Sequence, residues 1–230
     1  KEFSMPTMMG MANYPCVIAP AGINCDHGIC KLGVKCAYQE SGCHYFDAAK
    51  RARVAAEISV NYAYWLNINR TPGGMGGGIK LLALDEAHDA PKHLSSFLRV
   101  DISDEDLRKF CKASFKSRLD PEKDETPEAW ISWAKAALDE SGPEHGKLAA
   151  QIQAQGLGAP GWLKAEFRKI KELRAGLETI STELSDSWAW EKSRSGAAFE
   201  PLDPGKFAER LFCGAPKICL TSATLTQAQI

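Results

Sequence analysis

The chain has 230 residues, enough at ~100–200 residues per domain for one large domain or two small ones. Hydrophobic residues at 44% and charged residues at 25% lie near globular averages and exclude a disordered or collagen-like chain. The net charge of −1 argues against a wholly basic nucleic-acid binder, no apolar run approaches the ~18 residues of a membrane span, and the first residues lack the core of a secretory signal. A soluble protein of the cytoplasm, with no membrane partner, is expected.

Residues 1–14 carry no helix or strand start. Five of the eight cysteines then fall within 28 residues: Cys16, Cys25, Cys30, Cys36 and Cys43. A disulfide scaffold would spread its cysteines through a short secreted chain. Clustering in one segment of a longer chain reads better as a metal or cluster site. The segment also has four glycines and little periodicity between Pro15 and Gly42, so it needs a ligand to order itself.

From His44 the pattern is helical, with Phe46, Ala49, Ala52 and Ala56 at three- and four-residue steps. Ile58–Leu66, ISVNYAYWL, is rich in β-branched and aromatic residues and predicts a strand. Thr71–Gly78, TPGGMGGG, reads as a linker; as a phosphate loop it lacks the Gly-Lys-Ser/Thr sequence such a loop needs. Ile79–Leu84 suits a buried parallel strand and runs into Asp85-Glu86-Ala87-His88.

Ser103 predicts an N-cap, and the chain from there to about Trp190 reads as helical. Thr126-Pro127-Glu128 starts one helix, with Trp130, Trp133, Ala134, Ala137 and Leu138 on a single face, and Gly142-Pro143 is expected to stop it. A second starts near Pro160 and carries its apolar repeat from Leu163 to Trp188, roughly 38 Å at ~1.5 Å per residue. Lys217–Leu220, which includes Cys219, predicts a short buried strand ending in Thr221-Ser222-Ala223-Thr224. Two strands thus end in polar residues, where open α/β sheets place their ligands.

The order of these motifs resembles the iron–sulfur superfamily 2 helicases of the XPD/DinG type, the DinG-like members of bacteria and phage above all. Gly10-Met11-Ala12-Asn13-Tyr14-Pro15-Cys16 is similar to the family's Gly-Arg-x-Asn-Tyr-x-Cys, with Met11 in the arginine position. Cys43-His44-Tyr45-Phe46 is similar to Cys-Pro-Tyr-Phe, with His44 in place of proline. The resemblance implies an α+β, mostly α chain: a loop-rich cluster domain and a helical arch inserted into a partial RecA-like motor domain. The implied bounds are motor segments at 1–14, 46–96 and 212–230, a cluster domain at 15–45 and an arch at 97–211.

It further implies a 4Fe–4S cluster held by Cys16, Cys30, Cys36 and Cys43, with Cys25 as the alternate. In the complete enzyme, which uses Mg-ATP, Asp85 would hold magnesium and Glu86 would activate the attacking water. His88 would couple nucleotide state to Ser222 and Thr224. The parent would be an ATP-dependent 5′–3′ DNA helicase. This chain, without a Walker A lysine or second motor domain, is expected to be a portion of it and inactive alone as an ATPase. Single-stranded DNA is the implied partner, through Lys31, Lys35, Lys50, Arg51 and Arg53. A second basic group comprises Lys164, Arg168, Lys169, Lys171 and Arg174, with Tyr14, Tyr38, Tyr45 and Phe46 as aromatic platforms. Two other classes stay open: a non-enzymatic DNA-binding module held by zinc or iron–sulfur, and an arch that docks proteins through Trp130, Trp133, Trp188 or Trp190.

Overall fold

A computed structural model describes residues 5–19, 22–70, 74–75, 78–111, 126–193 and 195–223. In chain order the elements are β1 (Thr7–Met8), α1 (His44–Val54), β2 (Ser59–Val60), α2 (Tyr62–Ile68), β3 (Leu82–Leu84) and α3 (Ala90–Leu98). There follow β4 (Val100–Ser103), α4 (Asp104–Cys111), α5 (Pro127–Gln155) and α6 (Gly161–Glu183). The chain closes with β5 (Trp188–Lys192), β6 (Gly196–Pro201), α7 (Glu209–Phe212) and β7 (Ile218–Leu220). The class is α+β with helix dominant, as the sequence implies.

Contacts divide the chain into two compact units. One gathers the described residues of Lys1–Lys31, Lys35–Phe97 and Pro204–Ile230; the other gathers those of Leu32–Val34 and Leu98–Asp203. In the first, β1 pairs with β2 and β3 with β7, both in parallel. Met8, Ala48, Ala52 and Tyr64 form a small core there, flanked by Tyr14, Tyr45 and Met75. The strand expected over Ile58–Leu66 is mostly helix. Asn61 caps α2, its side chain accepting from Tyr64 N at 2.7 Å, so the capping bond overrides the strand preference of the residues that follow. α2 is then held by Trp65, whose Nε1 donates to Leu211 O at 2.6 Å. β7 forms as expected but is exposed at all three residues, Cys219 included, because it pairs with β3 alone among the described residues.

In the second unit, α5 and α6 form a long helical hairpin beside the antiparallel sheet β4-β6-β5, which the sequence did not announce. Thr126 caps α5 as expected, accepting from Ala129 N, with Pro127 in the first turn. Gly142-Pro143 does not end α5. Instead Arg174 on α6 donates to Leu138 O at 2.6 Å and to Ser141 Oγ at 2.7 Å, bracing the turn before the proline. α6 ends at Glu183, five residues before Trp188; Ser185-Asp186-Ser187 makes the turn, and Trp188 starts β5. Trp130 meets Phe199 of β6 edge-on at 4.9 Å and Trp133 at 5.3 Å. Trp130, Trp133 and Trp188 are buried and Trp190 is half-buried. The expectation of an arch that docks proteins through these tryptophans is therefore corrected for Trp130, Trp133 and Trp188, which are core. The tryptophan that faces solvent is Trp162, 64% exposed in the first turn of α6.

Candidate functional site

The parallel pair β3 and β7 brings together residues 136 positions apart. Leu84 pairs with Leu220, so Asp85 and Thr221 leave adjacent strand ends side by side. Thr221 N donates to Leu84 O at 2.9 Å and Ala87 N to Thr221 O at 3.0 Å, which stitches the two loops together. Thr221 Oγ1 then donates to Asp85 Oδ1 at 2.9 Å, and Ser222 Oγ to Glu86 Oε2 at 3.2 Å. His88 Nδ1 lies 2.7 Å from Ser222 Oγ and 3.2 Å from Glu86 Oε2. Asp85, Glu86, His88 and Ser222 thus meet in one polar network. Thr224 lies outside the described residues.

Glu86 sits in the left-handed region at φ 47°, uncommon for a residue with a side chain and costly enough to need external support. That support surrounds it. Glu86 N donates to Asp85 Oδ1 at 3.0 Å, Asp89 N to Glu86 O at 2.9 Å, and Tyr62 Oη to Asp85 O at 2.8 Å. Tyr62 also stacks on His93, ring centroids 4.7 Å apart. Burial, then the carboxylates of Asp85, Asp89 and Glu86, push the Tyr62 phenol up and keep it a donor. Tyr62 and Thr221 were not among the residues singled out from sequence. Tyr62 was hidden inside a supposed strand; Thr221 had one signal, its place at the strand end before Ser222.

All five clustered cysteines are free thiols. Cys25 and Cys43 are buried with their sulfurs 4.0 Å apart; Cys16, Cys30 and Cys36 are half-buried. Gly28 lies between two of them: a Cβ there would stand 3.4 Å from both the Cys16 and the Cys30 sulfur. Burial first, then the neighbouring thiols, pushes Cys25 up to about 12 and raises Cys30. Among the described residues no three Cys, His, Asp or Glu side chains converge so as to hold one metal ion. A four-iron cluster instead takes one thiolate per iron and needs thiols spread around a shared space. The soft donor set fits that group, and the missing side chain at Gly28 leaves the Cys16 and Cys30 sulfurs facing one point, close against Cys25 O.

Lys31, Lys35, Lys50, Arg51 and Arg53 are all exposed. Lys50 Nζ donates to Glu40 O, which ties α1 back to the cysteine segment. Tyr14, Tyr45 and Phe46 interlock edge to face, at 5.6 and 5.2 Å, while Tyr38 is exposed. The second basic group is largely engaged within its own unit. Besides the Arg174 bonds, Lys169 lies 3.8 Å from Asp106 and Lys171 lies over the Phe167 ring. No described helix is long and apolar enough to cross a membrane.

No family model and no curated protein matches the chain. Among solved structures, an XPD helicase is similar, with a TM-score of 0.49 and 14% identity over 99% of this chain. The match covers 47% of that helicase, so the chain spans about half its length. At this level of similarity the site rests on its own geometry.

Proposed function

We propose that the chain is the cluster and arch portion of an ATP-dependent 5′–3′ DNA helicase of the XPD/DinG type. One observation carries the reading: the network of Asp85, Glu86 and His88 with Thr221 and Ser222 at the ends of two neighbouring parallel strands. Carboxylates at strand ends, one in a strained and well-supported backbone conformation, suit metal and water positioning. When bound, Mg-ATP would supply the anhydride to be cleaved. Asp85, with Oδ1 engaged by Thr221 and Glu86 N, is the residue to hold magnesium. Glu86, with Oε2 accepting from Ser222, has Oε1 to take a proton from water. His88 joins Glu86 to Ser222 and so relays the state of one loop to the other.

The cysteine segment would hold a 4Fe–4S cluster through Cys16, Cys30, Cys43 and one of Cys36 and Cys25. The exposed cations Lys31 and Lys35 within that segment and Lys50, Arg51 and Arg53 on the helix that follows it suit single-stranded DNA, with binding that weakens as salt rises. The test uses the longer protein with its whole motor. Glu86→Gln keeps size and hydrogen bonding but removes the base, so hydrolysis is expected to fall ~10²-fold or more while nucleotide binding survives. Turnover equal to wild type in Glu86→Gln would overturn the helicase reading of the site.

A further inference from the structure

We propose that Tyr62 is a positioning residue for hydrolysis, its hydroxyl locking the Asp85–Glu86 peptide in the orientation that aims the Glu86 carboxylate; the inference rests on the helicase reading above. The two polar groups of that peptide, Asp85 C=O and Glu86 N–H, lie in one plane and turn as a unit. Asp85 O accepts from Tyr62 Oη at 2.8 Å, and Glu86 N donates to Asp85 Oδ1 at 3.0 Å. Of these two bonds, the one from Tyr62 comes from outside the turn. Turning the peptide over changes ψ at Asp85 and φ at Glu86. Glu86 stands at φ 47° and ψ 46°, left-handed backbone that a side chain disfavours, so the opposite orientation, with φ negative, would relieve it. Tyr62 opposes that relief. Without it the Glu86 carboxylate, whose Oε2 lies 3.2 Å from both Ser222 Oγ and His88 Nδ1, would swing with its backbone.

The helix that carries Tyr62 is itself fixed. Asn61 caps it through Tyr64 N, Trp65 Nε1 reaches Leu211 O, and Tyr64, Trp65 and Leu66 are buried. Tyr62, the first residue of α2, is half-buried and does not join the core of Met8, Ala48, Ala52 and Tyr64. Its hydroxyl goes to the strand end before the turn. Its ring lies flat on His93, with centroids 4.7 Å apart and planes 12° apart, and His93 belongs to α3, the helix that follows the turn. One side chain thus touches the chain on both sides of Glu86. The bland account of a tyrosine is an apolar ring packed in the core with its hydroxyl turned to water. Here the hydroxyl is spent on a backbone carbonyl of the strained turn, 23 residues away.

The test is Tyr62→Phe, which removes one oxygen and keeps the ring on His93. In this chain, hydrogen–deuterium exchange at the amides of Glu86, Ala87 and Asp89 is expected to quicken roughly 3- to 10-fold, the worth of one hydrogen bond, with the change confined to that turn. Equal quickening in α2 would make Tyr62 a residue of general packing and overturn the inference, as would wild-type exchange in the turn. In the longer protein with its whole motor, turnover at saturating Mg-ATP is expected to fall by a similar roughly 3- to 10-fold, while the Kd of a non-hydrolysable ATP analogue with magnesium stays at the wild-type value. Wild-type turnover, or a loss that appears in nucleotide affinity instead, overturns the inference. Glu86→Gln is assayed beside it. If Glu86→Gln also turns over like wild type, the helicase reading fails and this inference with it; if Glu86→Gln falls and Tyr62→Phe does not, only the role of Tyr62 is lost.

Discussion

Arg174 separates a structural cation from a DNA-binding one. Its position in a run of basic residues on α6 suggests contact with phosphate, yet its Nη1 donates to Leu138 O and Ser141 Oγ within α5. The reason lies two residues beyond Ser141. Pro143 has no N–H to give to the preceding turn, and a proline inside a helix costs ~3 kcal/mol or more. The carbonyl this orphans is that of Asp139; Arg174 and Ser141 Oγ, which itself donates to Leu138 O at 3.0 Å, do not replace the lost bond but tie the adjoining turn to α6. Arg174→Met keeps the apolar stem and removes both charged hydrogen bonds. Each is worth ~1.5–3 kcal/mol in full burial; with the side chain half-buried and Ser141 left on Leu138 O, a net loss of ~2 kcal/mol follows. That is about a 30-fold shift toward unfolding and, for a unit of this size, a Tm lower by ~8–15 °C. Urea titration followed by tryptophan fluorescence reads it, since Trp130, Trp133 and Trp188 are buried in the same unit. Lys164→Met, at a half-buried position on α6 whose one bond, to Leu157 O at 3.4 Å, is long and weak, should shift the midpoint far less. A wild-type midpoint in Arg174→Met, together with weaker binding of single-stranded DNA, would refute the reasoning and return Arg174 to the DNA interface.

Two further outcomes follow from the packing. Trp65→Phe keeps a large ring but leaves Leu211 O without the indole N–H, a loss of ~1–3 kcal/mol that should appear as faster amide exchange in α7; unchanged exchange there would mean the bond carries no weight. His145 stacks on Phe167 at 5.5 Å, and burial, then Arg174 and Lys171, hold its pKa below the ordinary histidine value. Because the unfolded chain takes up this proton more readily, stability contributed by neutral His145 is present above pH ~6.5 and lost as pH falls below it. His145→Gln should flatten the acid limb of a stability–pH curve in that window, and an unchanged slope would exclude the effect.

What the sequence by itself determined is what depends on neighbours along the chain. Thr126-Pro127 marks a helix start because a capping hydroxyl and a proline in the first turn are local chemistry, and α5 begins there. The strands at Leu82–Leu84 and Ile218–Leu220, with Asp85-Glu86 and Thr221-Ser222 at their ends, are legible for the same reason. Tertiary structure decided the rest, wherever a distant partner outweighs a local preference. Arg174 and the α5–α6 contact carry α5 past Pro143, although that residue alone predicts a stop. Leu184 and Trp188 keep a helical spacing, but Trp188 is buried as the first residue of β5, and the turn at Ser185–Ser187 was the weaker signal. Nothing in the spacing of five cysteines says that the Cys25 and Cys43 sulfurs come within 4.0 Å of each other, or that Cys16 and Cys30 both face Gly28; chain folding decides both. The joining of Asp85 to Thr221 across 136 residues is likewise a product of strand pairing, which periodicity along the chain does not encode.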